Sequence, residues 1–126
     1  MKVFKVIGFI LVSAIVNIYA SDTLSEQQIK DLFTNKTFDV LNTKKNKLLK
    51  GYDSADGTHL IYVPKKDKLS KRKWWTNGDR HCTSHPKRGD SCKSIVNMGD
   101  GVYYGYTDGK HTHTLSDFKE GNQLKN

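Results

Sequence analysis

The spacing of hydrophobic residues changes at about Asn35 and divides the chain after the first twenty residues into two segments. A short segment has the spacing of a helix, and a longer one has the spacing of short strands. In the short segment, Ile29 and Phe33 are four positions apart and lie on one face of a helix. Ser25 is suited to cap the first turn, and Gln28 stands where the partner in a capping box is expected. The pattern therefore predicts one short helix over 24–33, whose apolar stripe must pack against a larger structure.

After Asn35 the pattern consists of short apolar runs that are interrupted by turn residues at intervals of about eight to twelve positions. Pairs such as Asp56-Gly57 and Asp108-Gly109 tolerate the positive φ angles of tight turns. We expect a mainly β fold, a small antiparallel barrel or sandwich of about eight short strands after the helix. The predicted strands lie near 37–41, 48–53, 58–63, 72–76, 80–84, 92–97, 102–106 and 111–115.

The first twenty residues have the pattern of a secretory signal peptide. Lys2 and Lys5 precede an apolar stretch over 6–18, and Ala20 supplies the small residue at the expected cleavage site. The apolar stretch is shorter than the roughly 20 residues that span a bilayer as a helix. We therefore predict a signal peptide over 1–20 and a single β-rich domain over 21–126. The mature protein would be periplasmic or secreted, with no stable membrane span.

The chain is basic, with 21 Lys and Arg residues against 13 Asp and Glu residues. Removal of Lys2 and Lys5 with the predicted signal lowers the formal net charge from +8 to +6. A positive charge of this size favours acidic partners.

Both cysteines, Cys82 and Cys92, follow the predicted cleavage site and are ten positions apart. Because exported proteins meet oxidising conditions, we expect a disulfide between them that staples two consecutive strands. The spacing differs from a Cys-x-x-Cys redox motif, and two cysteines alone do not form a zinc site.

The order of several small motifs resembles a family of small exported bacterial proteins, domain-of-unknown-function family 995. The motifs are Asn35-Lys36-Thr37, Asp56-Gly57-Thr58, Trp75 ahead of Gly78-Asp79, and the pair Cys82 and Cys92. The resemblance extends over nearly the whole of the predicted mature chain. It implies a bacterial periplasmic or secreted protein with a curved antiparallel sheet, and it implies no activity.

One basic segment, followed directly by two tryptophans, is the first candidate for a contact surface. Cations beside exposed aromatic rings are typical of surfaces that bind polyanions. Neighbouring residues on a strand point to opposite faces. Because Trp75 precedes the tight turn as in the resembled family, we expect Trp75 inside and Trp74 outside. The alternative is a solvated lysine segment that protects a strand edge. The candidate contact residues are Lys65, Lys66, Lys68, Lys71, Arg72, Lys73 and Trp74.

His111 and His113 form a weak candidate for a metal site. Residues two apart on a strand share a face, so two imidazoles there could hold zinc or copper. No third ligand is indicated, and a histidine pair on an outer face without metal is the alternative. We predict no cofactor.

The sequence carries no Gly-x-Ser-x-Gly motif or comparable catalytic arrangement, and we expect a protein that is not an enzyme. The leading hypothesis is an exported binding or structural module whose basic face contacts an acidic partner. That partner could be a host or envelope protein, an envelope polymer or an anionic lipid. A small lipocalin-like carrier of an apolar ligand is the second hypothesis, and a small hydrolase with unrecognised residues is the third.

Overall fold

The structure, a computed structural model, describes residues 22–124. The predicted signal peptide over 1–20 and its cleavage site lie outside the described residues. From Asp22 to Leu124, no helix combines the length and the hydropathy that a membrane-spanning helix requires.

The predicted helix is present as α1, Glu26–Phe33. Ser25 Oγ accepts a hydrogen bond from the Gln28 amide at 3.3 Å, and Gln28 Oε1 accepts one from the Ser25 amide at 2.9 Å. This capping box satisfies two amides that would otherwise lack partners at the start of the helix. Ile29 and Phe33 are both fully buried, which confirms the predicted apolar stripe.

Eight antiparallel strands form one closed barrel in simple sequential order, with β8 pairing with β1. The mainly β prediction is therefore confirmed, and the fold is a barrel. The strands are β1 Lys36–Asn42, β2 Lys47–Asp53, β3 Thr58–Val63, β4 Lys68–Asn77, β5 Arg80–Thr83, β6 Ser91–Gly99, β7 Val102–Thr107 and β8 Lys110–Glu120. A short 3-10 turn, Pro64–Lys66, joins β3 to β4.

Helix α1 covers one end of the barrel. The centroid of the Phe33 ring lies 5.1 Å from the ring centroid of Phe38 on β1 and 5.5 Å from that of Phe118 on β8. It lies 6.5 Å from the ring centroid of Trp74 on β4. One side chain can meet three such separate strands only where the helix lies across the opening. We call this the closed end. The opposite, open end carries the β1–β2, β3–β4, β5–β6 and β7–β8 connections.

The predicted disulfide joins Cys82 on β5 to Cys92 on β6. The two residues are direct partners across the strands, with Cα atoms 4.0 Å apart. The bond therefore fixes the register of this pair of strands.

The prediction that Trp75 lies inside and Trp74 outside is wrong. Trp74 is 8% exposed and belongs to the core around α1, whereas Trp75 is half-buried and pairs with Cys82 across β4 and β5. The indole nitrogen of Trp74 donates to the Ser54 carbonyl at 2.8 Å, so its polar atom is satisfied despite burial. Strand alternation then directs Trp75 to the outer face.

Candidate ligand-binding cavity

The barrel encloses a cavity of about 480 Å³ that extends from Phe33 at the closed end to Lys44, Lys45 and Arg88 at the open end. An eight-stranded barrel is just wide enough to be filled by side chains or to hold one small ligand. In this barrel, the core around α1 fills the closed end, and the cavity lies between that core and the open end.

The hydrophobic strand residues of the lining lie on one side of the cavity, together with polar residues such as Asn42, His59 and His113. The hydrophobic residues come from the adjacent strands β8, β1, β2 and β3, and we call them the apolar wall. They are Phe38, Val40, Leu49, Ile61 and Leu115. The pairing of Val40 with Leu49 and with Leu115 makes this surface continuous across three strands.

The other side of the cavity is polar and is formed by β4, β5 and β6. We call its residues the polar wall, and they are Arg72, Thr83, Ser91 and Lys93. The two walls belong to opposite halves of the barrel, so the hydrophobic strand residues of the lining are concentrated on one side of the cavity.

The cations of the polar wall have no acidic partners. Neither Arg72 nor Lys93 forms a salt bridge with any residue of the described chain. Within residues 22–124, no Asp or Glu lines the cavity. The Nε atom of Arg72 is buried and has no hydrogen-bond partner among the described residues. Burial lowers the pKa of Lys93, although the charge of Asp53 opposes this effect.

The side chain of Lys93 reaches the cavity across Gly105. A Cβ atom at position 105 would lie 2.7 Å from Lys93 Cδ, closer than packed atoms approach. Because Gly105 has no side chain, the aliphatic part of the Lys93 side chain can occupy this space.

The two histidines of the weak metal candidate do not share a face. His113 lines the cavity, whereas the ring of His111 stacks on Tyr104 with the centroids 3.7 Å apart. A shift of register between Gly105 and Tyr106 interrupts the alternation of β8 against β7. This geometry does not favour the chelation of one ion by these two imidazoles, and the weak metal candidate stays a prediction. In the part of the chain described, no group of three or more His, Cys, Asp or Glu side chains is arranged to hold a metal ion.

His113 is surrounded by positive charge. Burial, together with the neighbouring charges of Lys93, His111 and His81, lowers its pKa to about 4. The imidazole is therefore neutral at physiological pH and adds no charge to the cavity.

A buried carboxylate lies near the closed end, held between two histidines. Asp53 Oδ1 is hydrogen-bonded to His59 Nδ1, and Asp53 Oδ2 lies 2.7 Å from His81 Nε2. Burial alone would raise the pKa of Asp53, but the hydrogen bonds from His59 and His81 bring it below its usual range. Because the carboxylate can only accept, each histidine donates to it.

The ring of His81 lies among aromatic side chains. Its centroid is 4.0 Å from the ring centroid of Phe33 and 5.5 Å from that of Trp74. Burial lowers the pKa of His81 despite the hydrogen bond to Asp53. Its Nδ1 atom is buried without a hydrogen-bond partner in the described chain.

The arrangement of Asp53, His59 and His81 acts as a polar link between β2, β3 and β5. Neither histidine is hydrogen-bonded to a hydroxyl group among the described residues, so the geometry pairs no nucleophile with a base. The expectation that the protein is not an enzyme stays a prediction. Sequence reasoning missed this cluster, although Asp53 and His59 each occupy an inward position of a strand, which is an unusual place for a charged or ionisable side chain.

The residues of the predicted basic contact surface are divided between several places. Lys65 and Lys66 lie in the 3-10 turn, and Lys68, Lys71 and Lys73 are exposed positions of β4. Arg72 lines the cavity and also borders the outer surface beside Lys71 and Lys73, whereas Trp74 is buried in the core.

A shallow outer depression of about 1060 Å³ lies beside β4, and it is open to solvent. Lys71, Lys73 and Trp75 line it, and Arg72 and His85 border both this depression and the cavity. Cations and an aromatic residue therefore line the same outer depression, and the tryptophan on the outer face there is Trp75.

The two ends of the barrel carry opposite charge. The connections at the open end hold six cations and three carboxylates, whereas those between strands at the closed end hold three carboxylates and no Lys or Arg. The open-end residues are Lys44, Lys45, Lys65, Lys66, Lys87 and Arg88, with Asp67, Asp90 and Asp108. The closed-end residues are Asp56, Asp79 and Asp100.

Comparison with models of known families, with curated proteins and with solved structures finds no match. The resemblance to domain-of-unknown-function family 995 therefore stays a prediction.

Proposed function

We propose that this protein binds a small organic ligand inside its barrel and serves as a carrier in the manner expected of lipocalin-like proteins. The observation that carries the proposal is the cavity of about 480 Å³, closed by α1 at one end and continuous with the open end at the other. Ligand sites are commonly concave, mostly apolar and roughly 300–1,000 Å³ in volume.

The apolar wall supplies the surface that such a ligand would bury. Val40, Ile61 and Leu115 contribute aliphatic side chains, and Phe33 and Phe38 close the inner end with aromatic rings. Each Å² of apolar surface removed from water contributes about 25 cal/mol, so a buried area of roughly 150 Å² would contribute about 4 kcal/mol before the costs of binding.

The proposal can be tested by filling the cavity. Leu49 faces the cavity, whereas its neighbour Leu48 is 50% exposed on the outer face. Leu49→Trp should abolish the fluorescence enhancement of N-phenyl-1-naphthylamine, a neutral apolar probe, and Leu48→Trp should leave it unchanged. Equal binding of the probe by the wild type and by both variants would place the probe outside the cavity and contradict the proposal.

We also propose that the protein is exported. The disulfide between Cys82 and Cys92 supports it, because such bonds form and persist in oxidising compartments. Mass spectrometry of the protein purified from its native source should then detect a small organic molecule released on denaturation.

A second candidate function is contact with an acidic partner through the outer surface of β4. The depression beside Trp75 favours it, since Lys71 and Lys73 line the same depression and form no salt bridge within the described chain. Contact with an acidic partner is also the leading hypothesis from the sequence. The contact residues proposed here are those that lie on the outer surface of β4.

A further inference from the structure

We propose that the ligand of the cavity is an amphipathic organic anion, whose charged group contacts Arg72 and Arg88 near the open end while its apolar part lies against the apolar wall. This inference rests on the proposed function, because it names the class of ligand that the same cavity would take.

The first support is the unbalanced charge of Arg72 and Arg88. Both line the cavity, and no Asp or Glu among residues 22–124 does so. They are close enough for the charge of Arg88 to disfavour that of Arg72. Two guanidinium groups that line one cavity without a carboxylate repel each other, and an anion bound near both would reduce that repulsion.

The second support is the unused hydrogen-bonding capacity of Arg72. Its Nε–H is buried and has no acceptor in the described chain. A buried donor without a partner costs free energy, and a ligand oxygen at this position would satisfy it. Arg72 also borders the outer depression, so its guanidinium lies at a boundary that an entering molecule would pass.

The arginines are better suited than Lys93 to hold the charged group. An arginine side chain stays protonated in proteins, and its planar guanidinium matches a carboxylate or sulfonate with two parallel hydrogen bonds. Lys93 lies deeper, opposite His81 on β5, where burial disfavours its charged form. The charged group is therefore placed towards the open end, and the apolar part towards Phe33 and Phe38.

The third support is the charge of the open end as a whole. Six cations against three carboxylates in its connections produce a positive potential around the entrance, and the closed end has the opposite sign. Such a field raises the local concentration of anions and speeds their association.

The inference can be tested with two probes that differ by a single sulfonate group. N-phenyl-1-naphthylamine is neutral, and 8-anilinonaphthalene-1-sulfonate is the same molecule with a sulfonate group. The wild-type protein should bind the sulfonate probe at least about tenfold more tightly, which is the effect of one hydrogen-bonded charge pair. Equal affinity for the two probes would overturn the inference while the proposed function stands. Failure of both probes to bind would overturn the proposed function itself.

Three variants identify the contact. Arg72→Gln should remove most of the preference for the sulfonate probe, measured as the ratio of the dissociation constants of the neutral and sulfonate probes for the same variant. Lys71→Gln removes the same charge from the adjacent exposed position and should have no effect. Arg88→Gln, at an exposed residue where folding is not at risk, should also reduce the preference. A preference that survives in both arginine variants and is lost in Lys93→Met would overturn the assignment to the two arginines.

Discussion

The imidazole of His81 lies 2.7 Å from the Asp53 carboxylate, and its other ring nitrogen is buried without a hydrogen-bond partner in the described chain. Asp53 is fully buried and also accepts from His59. One carboxylate therefore ties three strands of the barrel together at the closed end, next to the helix.

Replacement of this carboxylate should destabilise the protein strongly. Asp53→Asn keeps the shape but cannot accept from both histidines, so one ring N–H loses its acceptor. We expect a loss of about 2–4 kcal/mol in the free energy of unfolding, measured by urea denaturation. The matched control is Asp39→Asn, which removes a partly exposed partner of Lys50 on the surface and should cost less than about 1 kcal/mol. Similar losses in the two variants would show that the buried link is not important.

The stability of the protein should fall as the pH falls below 6.5. His113 has a pKa of about 4 in the folded protein, below its ordinary value of 6.5, so the unfolded state binds more protons between these values. The stabilisation is complete above pH 6.5 and is lost as the pH approaches 4. Its size is on the order of 1–3 kcal/mol, reduced because the ring is partly exposed to solvent.

His113→Gln isolates this contribution. The variant should lose less stability than the wild type between pH 6.5 and 4, as measured by thermal unfolding at fixed ionic strength. Some loss should remain, because burial also lowers the pKa of His81 in the folded state. Identical pH profiles for variant and wild type would contradict the assignment.

Reduction of the disulfide should weaken the fold without abolishing it. Cys82 and Cys92 enclose a short loop, and in the chain-entropy model its closure stabilises the folded state by about 2–3 kcal/mol. The double variant Cys82→Ala/Cys92→Ala should therefore unfold at a lower urea concentration, with an unchanged circular dichroism spectrum before unfolding. If the oxidised and reduced wild-type proteins had the same midpoint, the bond would contribute nothing to stability.

Contact with an acidic partner should depend on the outer lysines of β4. Lys71→Gln/Lys73→Gln should elute from an anionic matrix at lower salt than the wild type, because surface charges act through screened attraction. Arg72→Gln should shift elution less, since Arg72 also turns into the cavity. A wild-type retention that does not respond to salt would remove this candidate function.

The order of elements could be read from the sequence with good accuracy. The capping residues Ser25 and Gln28 fixed the start of α1, and the turn pairs separated the strands. These features are local, because a cap or a tight turn depends on residues a few positions apart. The disulfide followed from composition, since Cys82 and Cys92 are the only two cysteines in the chain.

The faces of the strands were predicted less well. Trp74 and Trp75 are adjacent on β4, and the sequence gives no reason to bury one rather than the other. The choice depends on Phe33 and Ser54, which are distant in sequence and meet Trp74 only in the closed barrel. The register shift at Gly105 likewise separates His111 from His113, although their spacing on a regular strand would have placed them together.

The sequence by itself determined the helix, the sequential strands, the cysteine pair and the basic charge, because these follow from local chemistry and composition. Only the tertiary structure decided that the sheet closes into a barrel, that Asp53 meets His59 and His81, and that Arg72 and Lys93 face an enclosed space. The physical reason is that closure joins β8 to β1 and assigns each residue an inner or an outer side. The site consists of that inner side, which brings together residues from all parts of the domain.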